Sequence, residues 1–101
     1  ILSPTTSVGD ILDEEVMIKN YPNPFSTNTT FKIYLERSMN LMVNIIDING
    51  RKVDGFTINK SQGFHEVSYQ ANKLSKGNYF AEFVNTADKS KLKTVKMIKM
   101  D

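Results

Sequence analysis

Thr30-Phe31-Lys32-Ile33-Tyr34-Leu35-Glu36 alternates without a slip between apolar residues on one parity (Phe31, Ile33, Leu35) and Lys32, Tyr34 and Glu36 on the other. Successive side chains of a strand point to opposite faces, so this period of two predicts a strand with one buried face and one wet face. A helix would need its apolar residues three and four apart. Downstream, Leu41, Val43 and Ile45 alternate with Met42 and Asn44, after which Ile46 and Ile48 fall on the opposite parity. A bulge or burial on both faces would explain that change. Asn49-Gly50 lies between two apolar runs and predicts a two-residue hairpin turn flanked by Ile48 and Arg51, with positive φ at both central residues.

The same reading extends in both directions. It predicts strands over residues 16–21, 30–36, 41–48, 52–58, 64–69, 78–85 and 91–100, separated by Asn, Gly, Ser and Pro. Seven short strands at this spacing predict an all-β fold, an Ig-like antiparallel sandwich with Greek-key connections. Its expected core includes Phe31, Ile33, Val43, Ile45, Val67, Tyr79 and Phe83. On the opposite parity, Phe80 and Val84 would need cover from a neighbouring element.

The chain has 101 residues, 40% hydrophobic and 24% charged, enough for one folded domain with one core. It has no cysteine, which excludes disulfides and thiolate chemistry. A net charge of +2 gives no reason to expect nucleic acid as a partner. No apolar run approaches the length of a membrane span, so direct membrane insertion is not expected. Residues 1–15 carry Pro4, Thr5-Thr6-Ser7, Gly9 and an acidic cluster, Asp10, Asp13, Glu14 and Glu15, and read as a linker from an upstream domain. The opening at Ile1, with neither initiator Met nor signal-peptide pattern, predicts a piece of a longer precursor.

Catalytic constellations are missing. His65 is the only histidine and shares its face with Val67 and Tyr69, which suits a packed structural residue. No nucleophile elbow or phosphate-cradling glycine loop occurs. Asp47-Ile48-Asn49-Gly50 begins like a calcium loop, but Arg51 and Lys52 stand where further oxygen ligands would be needed. No cofactor, metal site or enzymatic activity is expected.

Tyr21-Pro22-Asn23-Pro24-Phe25 is the most unusual stretch: two prolines flank an asparagine and remove two amide donors directly after a strand. The expectation is a rigid, extended corner anchored by the buried rings of Tyr21 and Phe25, with Asn23 bonding locally to the backbone. With Asn20 before it, this stretch resembles the opening signature of the type IX secretion system C-terminal sorting domain, type A. Four further segments resemble that family in order: Asp47 with Gly50-Arg51 at a tight turn, Gly63 opening a strand, Leu74-x-x-Gly77-x-Tyr79, and Lys96-Met97-Ile98-Lys99 at the end. The resemblance covers residues 16–101 and departs from the family at Ile46, often aromatic there, and in the lysine-rich approach from Asp88 to Lys96.

The resemblance implies a non-catalytic export signal that directs an upstream cargo domain of the same precursor across the outer membrane. It implies passage through the periplasm and delivery to the cell surface or exterior. Its partners would be the secretion machinery, including an outer-membrane translocon and a sortase-like peptidase that removes the domain or exchanges it for a surface anchor. The terminal strand, with Lys91, Lys93, Lys96, Met97, Ile98 and Lys99, is the candidate recognition strand, offering an edge for strand addition and a basic face. The alternative is a non-catalytic carbohydrate-binding or adhesive sandwich module, which would need exposed aromatic platforms; the chain has no Trp.

Overall fold

The computed structural model describes residues 16–100; the expected linker over residues 1–15 lies outside the described residues. Seven strands follow one another: β1 (Val16–Tyr21), β2 (Asn28–Leu35), β3 (Met39–Asp47), β4 (Lys52–Lys60), β5 (Gly63–Gln70), β6 (Gly77–Asn85) and β7 (Lys91–Lys99). They form two antiparallel sheets in the orders β1-β2-β5 and β4-β3-β6-β7. The chain crosses between sheets after β2, β4 and β5, so β2 pairs with β5 in one sheet while β3 pairs with β6 in the other. That interlocking is the expected Greek-key, Ig-like sandwich.

The inner faces meet in one core. Phe31, Ile33 and Leu35 from β2 oppose Leu41, Val43 and Ile45 from β3 and Ala81 and Phe83 from β6, all buried. Phe31 and Phe83 touch edge to face across the sandwich, with ring centroids 5.3 Å apart. The alternation read from sequence continues one step earlier, since Thr29 is also fully buried. Val67, expected in the core, is only half-buried because it lies on the edge strand β5, where one flank has no strand beside it.

The bulge expected after Ile45 is present, with the extra residue on the partner strand: it falls opposite Ile45 and Ile46, on β4, where Val53 is the extra residue, so β3 keeps its parity and Ile46 lies half-buried on the outer face. Two local expectations are corrected. The turn at Asn49-Gly50 is a three-residue loop. The Gly50 amide donates to the Asp47 carbonyl and the Asp47 amide to the Arg51 carbonyl, so Asp47 and Arg51 flank it. Gly50 alone has positive φ, which is the geometry of a turn followed by a glycine bulge. Among the described residues no element covers Phe80 and Val84, which lie half-exposed on the outer face, opposite Ile46 and Met42 of β3.

Between the edge strands β4 and β5 the sandwich is closed by side chains. Phe56 stacks on Tyr69 at 5.7 Å, and the Tyr69 hydroxyl donates to Asp54 at 2.7 Å, with Lys73 also reaching that carboxylate. Partial burial pushes the Asp54 carboxyl up, but the bonds from Tyr69, the Gly55 amide and Lys73 outweigh it and hold the carboxyl below its ordinary value. Burial, with the carboxylate beside it, raises the Tyr69 phenol well above its usual range.

Phe83→Ala should cost about 3–5 kcal/mol in chemical denaturation, because Phe83 is fully buried against Phe31 and its cavity has little room to collapse. The Asp54–Tyr69 bond sets the pH limits. The depressed Asp54 pKa gives stability that is complete above the unfolded value of 3.8 and lost as pH falls below it. The raised phenol pKa gives stability that is lost as pH rises above the unfolded value of 10.0. Melting temperature should therefore fall at both extremes, and Tyr69→Phe should flatten the alkaline fall.

Candidate functional site

Antiparallel strands return to the same two ends, and the register shows which segments share an end. Asp47 lies opposite Tyr79, Tyr79 opposite Met97, and Gly77 opposite Lys99. β1 finishes at Tyr21 opposite Thr30, near the start of β2. The corner at residues 21–25, the loop after Asp47, the Leu74 to Tyr79 segment and the end of β7 therefore gather at one end of the sandwich. Gly63 does not join them. It lies opposite Leu35 at the other end, where positive φ lets the chain open β5.

The corner is tied to the last strand by Asn23. Its Nδ2 donates to the Lys96 carbonyl and its Oδ1 accepts from the Ile98 amide, both at 2.9 Å. These are partners 73 and 75 residues away, so the expected local bonding of Asn23 is overturned. One side chain both donates to and accepts from β7, as the backbone of an adjoining strand would. Phe25 carries the pairing onward in a parallel bridge with Lys99: its amide donates to the Ile98 carbonyl, and its carbonyl accepts from the Met100 amide. Both X–Pro bonds, Tyr21-Pro22 and Asn23-Pro24, are cis, where an extended corner was expected.

Of the two expected aromatic anchors, Phe25 is buried, but Tyr21 is 69% exposed. Tyr21 caps the outer end of β1, and Lys32 Nζ lies 5.7 Å from its ring centroid. The corner takes its second anchor from residues that sequence reasoning missed. The buried Thr29 hydroxyl donates to the Pro22 carbonyl at 2.8 Å, and Asn20 Oδ1 accepts from Asn23 Nδ2 at 3.3 Å. Extending the parity of Phe31 and Ile33 back by one step would have marked Thr29 as buried and in need of a partner.

The other motif residues act locally at the same end. Asp47 Oδ1 accepts from the Asn49 and Arg51 amides, and Oδ2 lies 3.2 Å from Arg51 Nε. Bonds from the Arg51 and Asn49 amides and the Arg51 guanidinium hold this carboxyl below its ordinary value. Its oxygens are thus committed to the turn, as the hairpin reading requires. Leu74 is buried and Gly77 has φ +153, which permits the entry into β6. The Tyr79 hydroxyl donates to the Ser75 carbonyl at 2.8 Å, closing the loop back on itself as a tyrosine corner does.

These contacts revise the candidate recognition strand. Met97 is fully buried, whereas Lys91, Lys93 and Lys96 are exposed and Ile98 and Lys99 are half-buried. Lys91 pairs with Glu82 at 2.9 Å. The shift opposite Phe83 and Val84 makes Leu92 the extra residue of β7, turning it toward the core between two exposed lysines. Over residues 96–100 the strand edge is already occupied by Asn23 and Phe25, so strand addition there is blocked.

Residues 19–99 match the family described as secretion system C-terminal sorting domain. The chain belongs to that family. A sorting domain of this family is the signal for type IX secretion, so its cargo is destined for the cell surface or the exterior. The match embraces every segment gathered at the motif end and Gly63. No curated protein matches the chain.

Asn23→Ala should destabilise the sorting domain by about 1–3 kcal/mol, the net worth of two hydrogen bonds. Hydrogen exchange should localise the loss, with the Ile98 amide exchanging faster. Asn23→Asp should not restore stability, since a carboxylate cannot donate to the Lys96 carbonyl.

Proposed function

We propose that the secretion machinery reads the motif end of the sandwich as one surface, formed jointly by the corner, the Asp47 loop, the Leu74 to Tyr79 segment and the end of β7. The observation that carries this is the Asn23 pairing with Lys96 and Ile98, which makes the corner and the last strand one rigid unit. Tyr21, Pro22, Asn23, Pro24 and Lys96 are exposed on it, next to the half-buried Lys99 and the exposed Met100. Recognition of this kind requires the folded domain, since its two halves are more than 70 residues apart in the chain.

On this reading residues 16–101 form the export signal and residues 1–15 the linker from an upstream cargo. The domain does no chemistry of its own. It passes through the periplasm, presents its motif end to the outer-membrane translocon, and is removed or exchanged for a surface anchor by a sortase-like peptidase. The exposed Lys96, at this end, favours an acidic partner surface, whereas Lys91 is paired with Glu82 and Lys93 lies toward the other end of β7. Gly63, far from this end, serves the fold.

The test is export of a periplasmic reporter fused to the full chain in a host with the type IX machinery. Truncating the end of β7 would remove the core residue Met97, so surface changes are the better probe. Tyr21→Ser combined with Lys96→Glu should leave the melting curve near wild type yet retain the reporter in the periplasm. Surface delivery at the wild-type level by that folded variant would show that recognition lies elsewhere.

A further inference from the structure

The outer face of the β1-β2-β5 sheet carries a feature for which the motif end has no use. Met17, Tyr34 and Phe64 form one cross-strand row, and Lys19, Lys32 and Glu66 form the next. Phe64 is 84% exposed and Met17 52%, unusual for large apolar side chains side by side. Together with His65 these residues line a groove of about 480 Å³. Lys19 and Lys32 lie directly opposite each other, an arrangement that weakens a sheet, and neither forms an ion pair among the described residues. The row of rings is at the half of the sheet near Leu35 and Gly63, away from the motif end.

Ligand chemistry follows from this geometry. The Tyr34 and Phe64 rings touch, with centroids 4.7 Å apart and planes tilted by 48°, so with Met17 they make an uneven apolar wall against which an apolar side chain can pack and no flat platform for a sugar. Exposed Phe, Tyr and Met are the residues that protein interfaces favour. The two rows are two residues apart along each strand, about 6.7 Å, which is also the distance between same-side side chains of an extended peptide. A peptide lying along the strands that packs an apolar side chain against the rings and Met17 thus brings its residue two positions on to the Lys19 and Lys32 side of the next row, whose third member is Glu66.

We propose that this face docks an extended segment of a partner protein bearing an apolar residue followed two positions later by Asp or Glu. The site adjoins the surface read by the secretion machinery where Lys32 Nζ lies over the Tyr21 ring, while its row of rings is at the far half of the sheet.

Backbone and methyl NMR of the full chain provides the test, with a serine-based nonapeptide carrying Leu at its fourth position and Glu at its sixth as the probe. Saturable shifts should appear at Met17, Tyr34, Phe64 and Lys32 up to about 5 mM peptide, where even a millimolar site is largely filled. Moving Glu to the fifth position turns it to the opposite side and should weaken binding roughly tenfold or more. Phe64→Ser, and separately Lys19→Glu with Lys32→Glu, should weaken it to the same extent while leaving the resonances of the Asp47 loop, the Leu74 to Tyr79 segment and the end of β7 unchanged. Both changes are at exposed positions, so folding is not at stake. No saturable shift, equal binding of the two peptides, or binding of polygalacturonate in place of the peptide would overturn the proposal.

Discussion

The side-chain amide of Asn23 joins the two extremes of the domain. It gives β7 one donor and one acceptor at the spacing an adjoining strand would supply, so the last strand is paired on both flanks where it ends. Asn is the side chain that can do this from a corner where Pro22 and Pro24 lack amide protons. The corner is held from beneath by the buried Thr29 hydroxyl on the Pro22 carbonyl and by the buried Phe25 ring. Without that anchoring, β7 would present an unpaired edge at its terminus, the kind of edge that invites unwanted pairing.

The rest of the molecule divides between its two ends and its two outer faces. At the motif end, the two loops other than the corner are closed by a side chain bonding to nearby backbone, as Asp47 does to the Asn49 and Arg51 amides and Tyr79 to the Ser75 carbonyl. Such short-range locks make the end rigid without enlarging the core. A surface that is already ordered loses less entropy when a partner binds it. The smaller sheet instead keeps the Met17, Tyr34 and Phe64 row and the Lys19 and Lys32 ammonium groups at the surface, where they contribute little to folding. On the four-stranded sheet, comparable apolar residues such as Ile46 and Phe80 are half-buried against their cross-strand neighbours.

Much of the fold was legible along the chain. Strands whose two faces differ in polarity announce themselves by a period of two, and β2, β3 and β6 do so because each lies next to two strands and packs one face on the core. Edge strands were less legible in burial: Val67 has the right parity but lies where one flank is not covered by a strand. The turn at Asn49-Gly50 was recognised by composition and misjudged in length. Asp47 supplies side-chain bonds that extend the loop by one residue, and no propensity for paired turn residues encodes that. Tyr21 was expected to be buried because it is aromatic, yet parity alone puts it on the outer face with Met17 and Lys19.

By itself the sequence determined the number of strands, their faces, the glycine positions and the order of the family's motifs, because these follow from alternation and from local backbone sterics. Tertiary structure alone decided that four of those motifs share one end and that Asn23 bonds to Lys96 and Ile98. It also decided that Met17, Tyr34 and Phe64 stand in one exposed row. Each of these joins residues from different strands, and the registers that align them are set by how two sheets close over a common core, which no short-range pattern records.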